Sequence, residues 1–316
     1  MKPRFSVLIP TYNRKRLVLQ AIDSVLAQTF GDYEIFVIDD GSSDGTPDAL
    51  RPYLGRINLL QQANQGPEVA RNLAARRADG EYLVMLDSDD MLMPRALEIY
   101  NQVLQNFDSP PILIGSMLYF TDGSYPFQLS RDSDGIEVIQ YADFLSKDIK
   151  IGLSNSRIVV SKALYEKVGG ARHSSAVTFH CDDFHLMLKI STYGPCLVVR
   201  SPITVAYRSH DSNSVCTVKP LVRGIYAIIR SEHRREYPGG ARRKFARYAC
   251  IGGIAQLWVR KAWQAGQYRD GFILLFRSFP MITAGLCKKI ITKCFHKTPL
   301  VLFRKQEREL AKNISS

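Results

Sequence analysis

The first 110 residues alternate between apolar segments of strand length and segments with helical periodicity. The strand-like segments are residues 5–9, 34–38, 57–60 and 82–86, and the helical ones are residues 16–28, 46–54, 67–77 and 94–107. Strands that alternate with helices form right-handed βαβ units and a parallel sheet. The sequence therefore predicts an α/β fold. With 316 residues, 46% of them hydrophobic, the chain can bury a large core.

Polar residues follow three of the predicted strands. The first strand leads into the turn 10–14, the second into the acidic turn 39–45, and the fourth into the acidic turn 87–90. In a parallel sheet, ligands bind beyond the carboxyl ends of the strands. We therefore expect these three turns to form one site at that edge.

The turn after the fourth strand holds three carboxylates in four residues: Asp87, Asp89 and Asp90. They repel one another, and a divalent cation with oxygen ligands would relieve that repulsion. The alternative is an acidic turn in which Asp90 caps the helix that starts near Pro94. The other two turns favour the metal site, because they bring further polar groups to the same edge.

The same turns offer groups that suit a nucleotide. Asp39 and Asp40 can accept hydrogen bonds from a base N–H or a ribose hydroxyl, and Tyr12 can stack on a base. Arg71 can meet a phosphate or support the metal site. Taken singly, these residues are also typical of a turn carboxylate, a packed tyrosine and a surface arginine. The turns contain neither GxGxxG nor GxxxxGK[ST], so neither a dinucleotide fingerprint nor a P-loop is indicated.

Residues 3–216 resemble the inverting nucleotide-sugar glycosyltransferases of family 2, which have the GT-A fold. The resemblance rests on SVLIPTYNR at 6–14, VIDDGSSDGT at 37–46, NQGPEVARN at 64–72, LDSDD at 86–90, CDDFHL at 181–186 and YRSH at 207–210. These are similar, in order, to the family's nucleoside loop, base-binding turn, NxGxxxARN helix start, DxD metal motif, ED motif and YRxH element. The resemblance implies a Rossmann-like, mostly parallel sheet flanked by helices, with a C-terminal helical segment outside it.

The resemblance also implies a domain division. Residues 1–216 are expected to form the GT-A catalytic domain, with a nucleotide-binding half at 1–110 and an acceptor half at 111–216. In the acceptor half we predict strands at 112–119, 158–160, 196–199 and 204–207, helices at 161–168 and 182–192, and a surface loop at 122–135. Residues 217–316 are expected to form a basic helical C-terminal segment, with helices at 222–236, 242–264 and 268–277.

Residue roles follow from the same resemblance. The residues expected to bind the nucleotide-sugar, with UDP-sugar as the common donor of the family, are Pro10, Thr11, Tyr12, Arg14, Asp39, Asp40, Asn64, Gly66, Arg71, Asp87 and Ser88. Asp89 is the expected metal ligand, Asp87 is expected on metal or sugar, and His210 on metal or diphosphate. The metal would be Mn²⁺ or Mg²⁺, acting as a Lewis acid for the departing diphosphate.

The ED-like motif holds the expected general base. Asp183 matches its second position, and a carboxylate within hydrogen-bond reach of the acceptor hydroxyl can remove its proton. Asp182 stands where the family has glutamate and is one methylene shorter, so the choice between Asp182 and Asp183 stays open. The alternative is that this pair only caps a helix and complements its dipole. Direct displacement with one base implies inversion at the anomeric carbon.

Charge divides the chain unevenly. Residues 1–216 hold 21 Lys and Arg against 25 Asp and Glu, a net charge of −4, whereas residues 217–316 hold 21 against 5, a net charge of +16. Basic residues mixed with bulky apolar ones are typical of a segment that lies on an anionic membrane surface, and an ordinary helical packing domain is the alternative. The nearest candidate for a membrane span, residues 271–287, is interrupted by Arg277 and Pro280.

We therefore expect a cytoplasmic enzyme, peripheral on the inner face of the cell membrane. The absence of a signal-peptide pattern and the six scattered cysteines without a CxxC pair favour the same compartment. The expected acceptor is a hydroxyl of a glycan or lipid-linked glycan in surface polysaccharide biosynthesis.

Two other functions compete with this hypothesis. A nucleotidyltransferase shares the sheet and acidic site, but it needs a glycine-rich loop and residues 6–14 contain no glycine. A nucleic-acid-binding protein would use the basic segment. Its charges, however, lie between aliphatic side chains rather than exposed aromatic ones, and no nucleic-acid partner is expected.

Overall fold

The structure is a computed structural model that describes residues 2–122, 135–146, 151–171, 181–210, 218–295 and 301–303. Its strands are β1 Phe5–Thr11, β2 Tyr33–Asp39, β3 Asn58–Gln61, β4 Tyr82–Met85, β5 Met91–Leu92, β6 Ile112–Ile114, β7 Met117–Phe120, β8 Ile136–Tyr141, β9 Ile158–Ser161, β10 Cys196–Ser201, β11 Val205–Arg208 and β12 Val301–Phe303. Its α-helices are α1 Lys15–Leu26, α2 Thr46–Leu50, α3 Pro67–Arg77, α4 Ala96–Asn106, α5 Lys162–Lys167, α6 Asp182–Lys189, α7 Val218–His233, α8 Lys244–Gln264 and α9 Tyr268–Phe295.

A sheet of nine strands forms the centre of the described fold, in the order β12-β8-β10-β6-β9-β4-β1-β2-β3. β8 and β9 run antiparallel to their neighbours, and the other seven described strands share one direction. The prediction of a mostly parallel sheet flanked by helices is therefore confirmed. The four strands that lead to the predicted site are parallel to one another.

The register of these strands brings their carboxyl ends together. Thr11 at the end of β1 pairs with Asp39 at the end of β2, and Leu8 pairs with Met85 at the end of β4. Every residue of β1 and β4 is buried, as expected for strands whose two faces both pack against helices. The turns that follow the three strands therefore leave the sheet at one edge.

Residues 112–119, predicted as a single strand, form two strands in different sheets. β6 lies in the large sheet, whereas β7 pairs with β11 in a three-stranded sheet of order β5-β11-β7. The break falls at Gly115, where a Cβ atom would lie 2.4 Å from the hydroxyl of Tyr100 and 2.6 Å from Oγ1 of Thr204. The prediction of a single strand is wrong. The chain leaves the large sheet at Gly115, where the close approach of Tyr100 and Thr204 leaves no room for a side chain.

The C-terminal helices α7, α8 and α9 share one hydrophobic core with the sheet. That core includes Ile112 of β6, Met187 of α6, Ile225 of α7, Ile251 of α8 and Leu274 of α9. β12 adds a further strand beside β8, where the sequence predicted none. The division into domains at residue 216 stays a prediction.

Helix α9 is longer than the predicted helix 268–277. It continues through Pro280 to Phe295, so the predicted end at residue 277 is wrong. Arg277 and Pro280 interrupt the apolar run 271–287 in the sequence, but they do not end the helix. Within it, Tyr268–Ile290 is long and apolar enough to cross a membrane by length and composition, and 33% of its apolar window is buried in the protein. Pro280 is exposed, so the hydrogen bond that it cannot form lies where water reaches the helix.

Most other predicted elements are present within a few residues. α3 has the predicted bounds, because Pro67 fits only the first helical position. The predicted helix 46–54 divides into α2 and the 3-10 turn Arg51–Tyr53. The predicted surface loop 122–135 lies outside the described residues except at its two ends.

Candidate active site

The three polar turns meet at one edge of the sheet. The N–H of Asn13 donates to the hydroxyl of Ser42 (2.9 Å), and the N–H of Ser43 donates to the side-chain oxygen of Asn13 (2.8 Å). Arg14 is ion-paired with Asp89. The turn after β1 is therefore bonded both to the turn after β2 and to the turn after β4.

Asp40 orders the loop that leads into α3. Its buried carboxylate accepts hydrogen bonds from the side chain of Gln62 (2.7 Å) and from the N–H groups of Gln65 (3.0 Å) and Gly66 (2.8 Å). Gly66 has a φ of 92°, a backbone conformation that favours glycine. Asn64 is exposed in the same loop. The carboxylate of Asp40 thus has three partners within the protein.

The end of β1 combines a buried hydroxyl with an exposed ring. Pro10 and Thr11 are buried, and within the described part of the chain Oγ1 of Thr11 has no hydrogen-bond partner. Tyr12 is 47% exposed. Asp39, across from Thr11, is buried and accepts a hydrogen bond from the N–H of Ser42 (3.2 Å). An unpaired hydroxyl, an accessible aromatic ring and a carboxylate therefore lie at the ends of β1 and β2.

The first two carboxylates after β4 have different cationic partners. Asp87 is ion-paired with Arg71. Asp89 is ion-paired with Arg14, and its Oδ2 lies 3.0 Å from Nε2 of His210. Both aspartates are half-buried. The sequence-predicted residues Asp87, Asp89 and His210 are therefore in one place, but only Asp89 and His210 touch.

Asp90 is a structural carboxylate of this turn, and Ser88 beside it is also buried. Asp90 accepts hydrogen bonds from the hydroxyl of Ser156 (2.6 Å) and from the N–H of Arg208 (2.9 Å). Helix α4 begins after Arg95 without a side-chain cap. The expectation that Asp90 caps the next helix is wrong, because its oxygens bind β11 and the segment before β9 instead.

Burial and mutual repulsion raise the pKa values of two carboxyls in the turn. Burial is the main cause that raises the pKa of Asp87 to about 6, with Asp89 adding to it and Arg71 opposing it. The pKa of Asp90 lies well above its ordinary value because of burial and the charges of Asp89 and Asp87. Burial and the closeness of the carboxylates thus disfavour the ionised forms of Asp87 and Asp90.

Arg71 connects the acidic turn with the first turn of α6. It is 2% exposed, and it is ion-paired with Asp87 and with Asp182, the latter at 2.5 Å. Burial alone would lower the pKa of Arg71, but these two carboxylates raise it above its usual value. The side chain of Asn155 donates a second hydrogen bond to Asp182 (3.0 Å).

Asp183 follows Asp182 in α6 and is half-buried. Burial and then the charge of Asp182 raise the pKa of Asp183 to about 7, although the N–H of Phe184 donates to Asp183 at 2.6 Å and lowers it. A carboxyl with a pKa near neutrality can exchange a proton at physiological pH. Both aspartates also lie where the dipole of α6 favours negative charge.

Sequence patterns did not single out Asn155 and Ser156. They lie in the 3-10 turn Asn155–Arg157 before β9, and the hydroxyl of Ser156 accepts a hydrogen bond from the N–H of Asp87 (3.0 Å). A short polar turn has no periodic signal. Arg208 was present in the YRSH element, and its Nε donates to the carbonyl oxygen of Asp89 (2.9 Å). For Arg208, the YRSH element was therefore the sequence signal that indicated a residue of the site.

Within the described ranges, no group of three or more His, Cys, Asp or Glu side chains is arranged to hold a metal ion. Asp89 and His210 supply one oxygen and one nitrogen donor, while Asp87 faces Arg71. These donor types suit Mn²⁺ or Mg²⁺ when water or phosphate oxygens complete the coordination. The residues present therefore fit a site in which protein groups supply some of the metal ligands and water or phosphate oxygens supply the rest.

The sheet, its acidic turn and the helices around it define a protein of the GT-A class. The chain belongs to glycosyl transferase family 2, whose family model matches residues 6–165. The resemblance noted in the sequence is therefore confirmed, and glycosyl transfer is favoured over the nucleotidyltransferase and nucleic-acid-binding alternatives.

Several curated proteins are similar to parts of this chain. An uncharacterized glycosyltransferase of Rickettsia conorii is 43% identical over 98 residues, which are 30% of this chain and 16% of that protein. The putative teichuronic acid biosynthesis glycosyltransferase TuaG of Bacillus subtilis is 34% identical over 152 residues, 47% of this chain and 59% of TuaG. Chondroitin synthase of Escherichia coli is 38% identical over 100 residues, 31% of this chain and 15% of that enzyme. The matches thus span only part of each relative.

Solved structures share the fold at low sequence identity. The 1–349 part of S. aureus TarS, in complex with UDP-GlcNAc, has a TM-score of 0.57 at 15% identity, covering 97% of this chain and 98% of that one. The mannosyltransferase PcManGT of Pyrobaculum calidifontis, in complex with GDP-Man and Mn²⁺, has a TM-score of 0.56 at 19% identity, covering 93% and 88%.

Proposed function

We propose that this protein is an inverting, metal-dependent glycosyltransferase that moves a sugar from a nucleotide-sugar to an acceptor hydroxyl. The observation that carries the proposal is the buried bridge Asp87–Arg71–Asp182, which sets the acidic turn beside Asp183. A carboxylate with a pKa near 7 next to an acidic turn at the carboxyl edge of a GT-A sheet suits this reaction.

The donor would bind along the ends of β1, β2 and β4. Tyr12 stacks on the base, while Thr11 and Asp39 offer a hydroxyl and a carboxylate to the nucleoside. The remaining residues assigned to the donor are Pro10, Arg14, Asp40, Asn64, Gly66, Arg71, Asp87 and Ser88. Among them, Asp40 shapes the loop and Arg71 holds Asp87. We propose a UDP-sugar, in keeping with the UDP-GlcNAc bound by TarS.

Asp89 and His210 would hold the divalent metal, with Asp87 on the sugar or the metal. Bound there, Mn²⁺ or Mg²⁺ would offset the charge that develops on the departing diphosphate. Arg14, now paired with Asp89, would turn to the phosphates once the metal takes that carboxylate. The Mn²⁺ present with GDP-Man in PcManGT supports a divalent cation.

Asp183 is the residue that we assign as general base. Asp182 is committed to Arg71 and Asn155, whereas among the described residues Asp183 has only the N–H of Phe184 as a hydrogen-bond partner. Asp183 removes the proton from the acceptor hydroxyl as that oxygen attacks the anomeric carbon from the side opposite the diphosphate. One displacement gives inversion and needs no covalent sugar–enzyme intermediate.

The acceptor that we propose is a glycan or lipid-linked glycan of a surface polysaccharide, in keeping with the naming of TuaG and chondroitin synthase. The enzyme would work in the cytoplasm, peripheral on the inner face of the membrane. A basic segment of net charge +16 supports contact with anionic lipid headgroups.

A donor screen tests the proposal. The full chain is incubated with UDP-, GDP-, dTDP- and CMP-sugars, with Mn²⁺ or with chelator, and released nucleotide is measured. At least one UDP-sugar should turn over with Mn²⁺, chelator should stop it, and Asp89→Ala should abolish it. Turnover that chelator and Asp89→Ala leave unchanged would contradict the metal assignment. With an acceptor supplied, proton NMR should show the opposite anomer in the product.

A further inference from the structure

Helix α9 presents an apolar stripe to solvent between Tyr268 and Ile290. Residues three or four apart on a helix share one face, and on α9 that face carries Tyr268, Phe272, Phe276, Phe279, Leu286 and Ile290. Phe276 is 84% exposed and Ile290 64%. From Tyr268 to Ile290 the stripe is about 33 Å long at 1.5 Å per residue. The half-buried Thr283 lies between Phe279 and Leu286 on this face. Isolated exposed apolar residues are common, but six on one helix face mark an interaction surface.

The opposite face of α9 is held tightly by α8. A Cβ atom on Gly252 would lie 1.9 Å from the carbonyl oxygen of Met281, and one on Gly285 would lie 3.2 Å from the carbonyl oxygen of Ala249. Leu274 and Met281 are buried in the core shared with the sheet. Although α9 is long enough to cross a bilayer, leaving this packing would expose that core. The helix can therefore lie along a surface with its stripe outward.

Charge identifies the surface that fits. Residues 217–316 carry 21 basic against 5 acidic side chains. Arg260 of α8 and Arg269 and Arg277 of α9 are exposed, and the guanidinium of Arg277 also lies over the ring of Tyr226, 4.9 Å from its centroid. The ring of Trp263 in α8 packs on the ring of Phe272, with centroids 5.5 Å apart, and the amphipathic indole widens the stripe. Exposed aromatic and apolar residues on helices that also carry exposed arginines match a bilayer with anionic headgroups.

We infer that the exposed face of α9 is the docking surface for an anionic lipid bilayer, with the helix lying in the plane of the interface. The inference deepens the peripheral location proposed above and names the face responsible. It does not depend on the identity of the donor or on the general base.

Vesicle sedimentation tests this inference with the purified full chain. Binding to phosphatidylcholine vesicles that contain about 30% phosphatidylglycerol is compared with binding to pure phosphatidylcholine vesicles, at low and at high salt. The wild type should bind the anionic vesicles, and the double variant Phe276→Asp/Phe279→Asp should bind at least about tenfold more weakly. Leu54→Asp, which changes a 53% exposed apolar residue outside the C-terminal helices, is the control and should bind as the wild type does.

Three outcomes would overturn the inference. They are equal vesicle binding by the double variant, no wild-type binding to anionic vesicles, and a wild-type dimer that the double variant converts to a monomer. The last result, from sedimentation equilibrium, would assign the face to a second copy of the chain. Circular dichroism and donor turnover of each variant keep these outcomes separate from unfolding and from failure of the proposed reaction.

Discussion

The guanidinium of Arg71 lies 2.5 Å from the carboxylate of Asp182 and thereby ties helix α3 to the first turn of α6. The same guanidinium holds the acidic turn through a second ion pair. One buried cation therefore connects the part of the site proposed for the donor with the part proposed for the base. Its removal leaves the half-buried carboxylates of Asp87 and Asp182 without their shared cation.

Replacing Arg71 with methionine should lower the free energy of unfolding by about 3–5 kcal/mol, because two half-buried carboxylates then lose the buried cation that they share. Urea denaturation measures the change. Arg76→Met on the same helix is the matched control, since Arg76 is exposed and its loss should cost no more than about 0.5 kcal/mol. Equal stability of the two variants would show that the bridge contributes little.

The pH dependence of turnover should report Asp183. A general base acts in its ionised form, and the pKa of Asp183 is raised to about 7. We therefore expect kcat/KM to fall about tenfold per pH unit below pH 7 and to level off above it. A profile that stays flat down to pH 5 would exclude Asp183 as the base.

Asp182→Asn should move that acidic limb to lower pH. After burial, the charge of Asp182 is the largest cause that raises the pKa of Asp183, so its removal lets Asp183 ionise more readily. The measurement is the pH–rate profile of the variant beside that of the wild type. A limb that stays in place or moves to higher pH would contradict the proposed coupling.

Two adjacent glycines of α8 should respond in opposite ways to alanine. Gly252→Ala places a methyl group 1.9 Å from a backbone oxygen of α9 and should cost about 1–3 kcal/mol or more. Gly253→Ala has no atom within 4 Å of the new Cβ atom and should gain up to about 1 kcal/mol through helix propensity. Thermal unfolding compares them, and a similar change in both would argue against close packing of the two helices.

The parallel part of the sheet could be predicted because its strands are buried on both faces. Such strands are continuous apolar runs, and β1 and β4 are of this kind. α3 was predicted to the residue because Pro67 fixes its start. The meeting of the three turns followed from the topology alone, since parallel strands place their carboxyl ends at one edge.

Other features depended on tertiary packing that has no local pattern. Pro280 is a helix breaker in isolation, yet α9 continues through it because the packing against α8 holds both halves. Asn155 and Ser156 enter the site from a short turn, and nothing in the surrounding sequence marks them. Arg71 is enclosed by Asp87 and Asp182, and Asp182 lies more than a hundred positions further along the chain. The sequence therefore predicted the edge of the sheet at which Arg71 lies, but not its two carboxylate partners.

The most direct test of the account is transfer by Asp183→Asn, measured with the best donor and acceptor beside donor affinity from calorimetry. We predict that the variant binds the nucleotide-sugar within about twofold of the wild type and loses transfer by about 10²–10⁴-fold, the contribution typical of a general base. Asp183→Asn that transfers sugar at the wild-type rate would contradict the central claim that Asp183 removes the acceptor's proton.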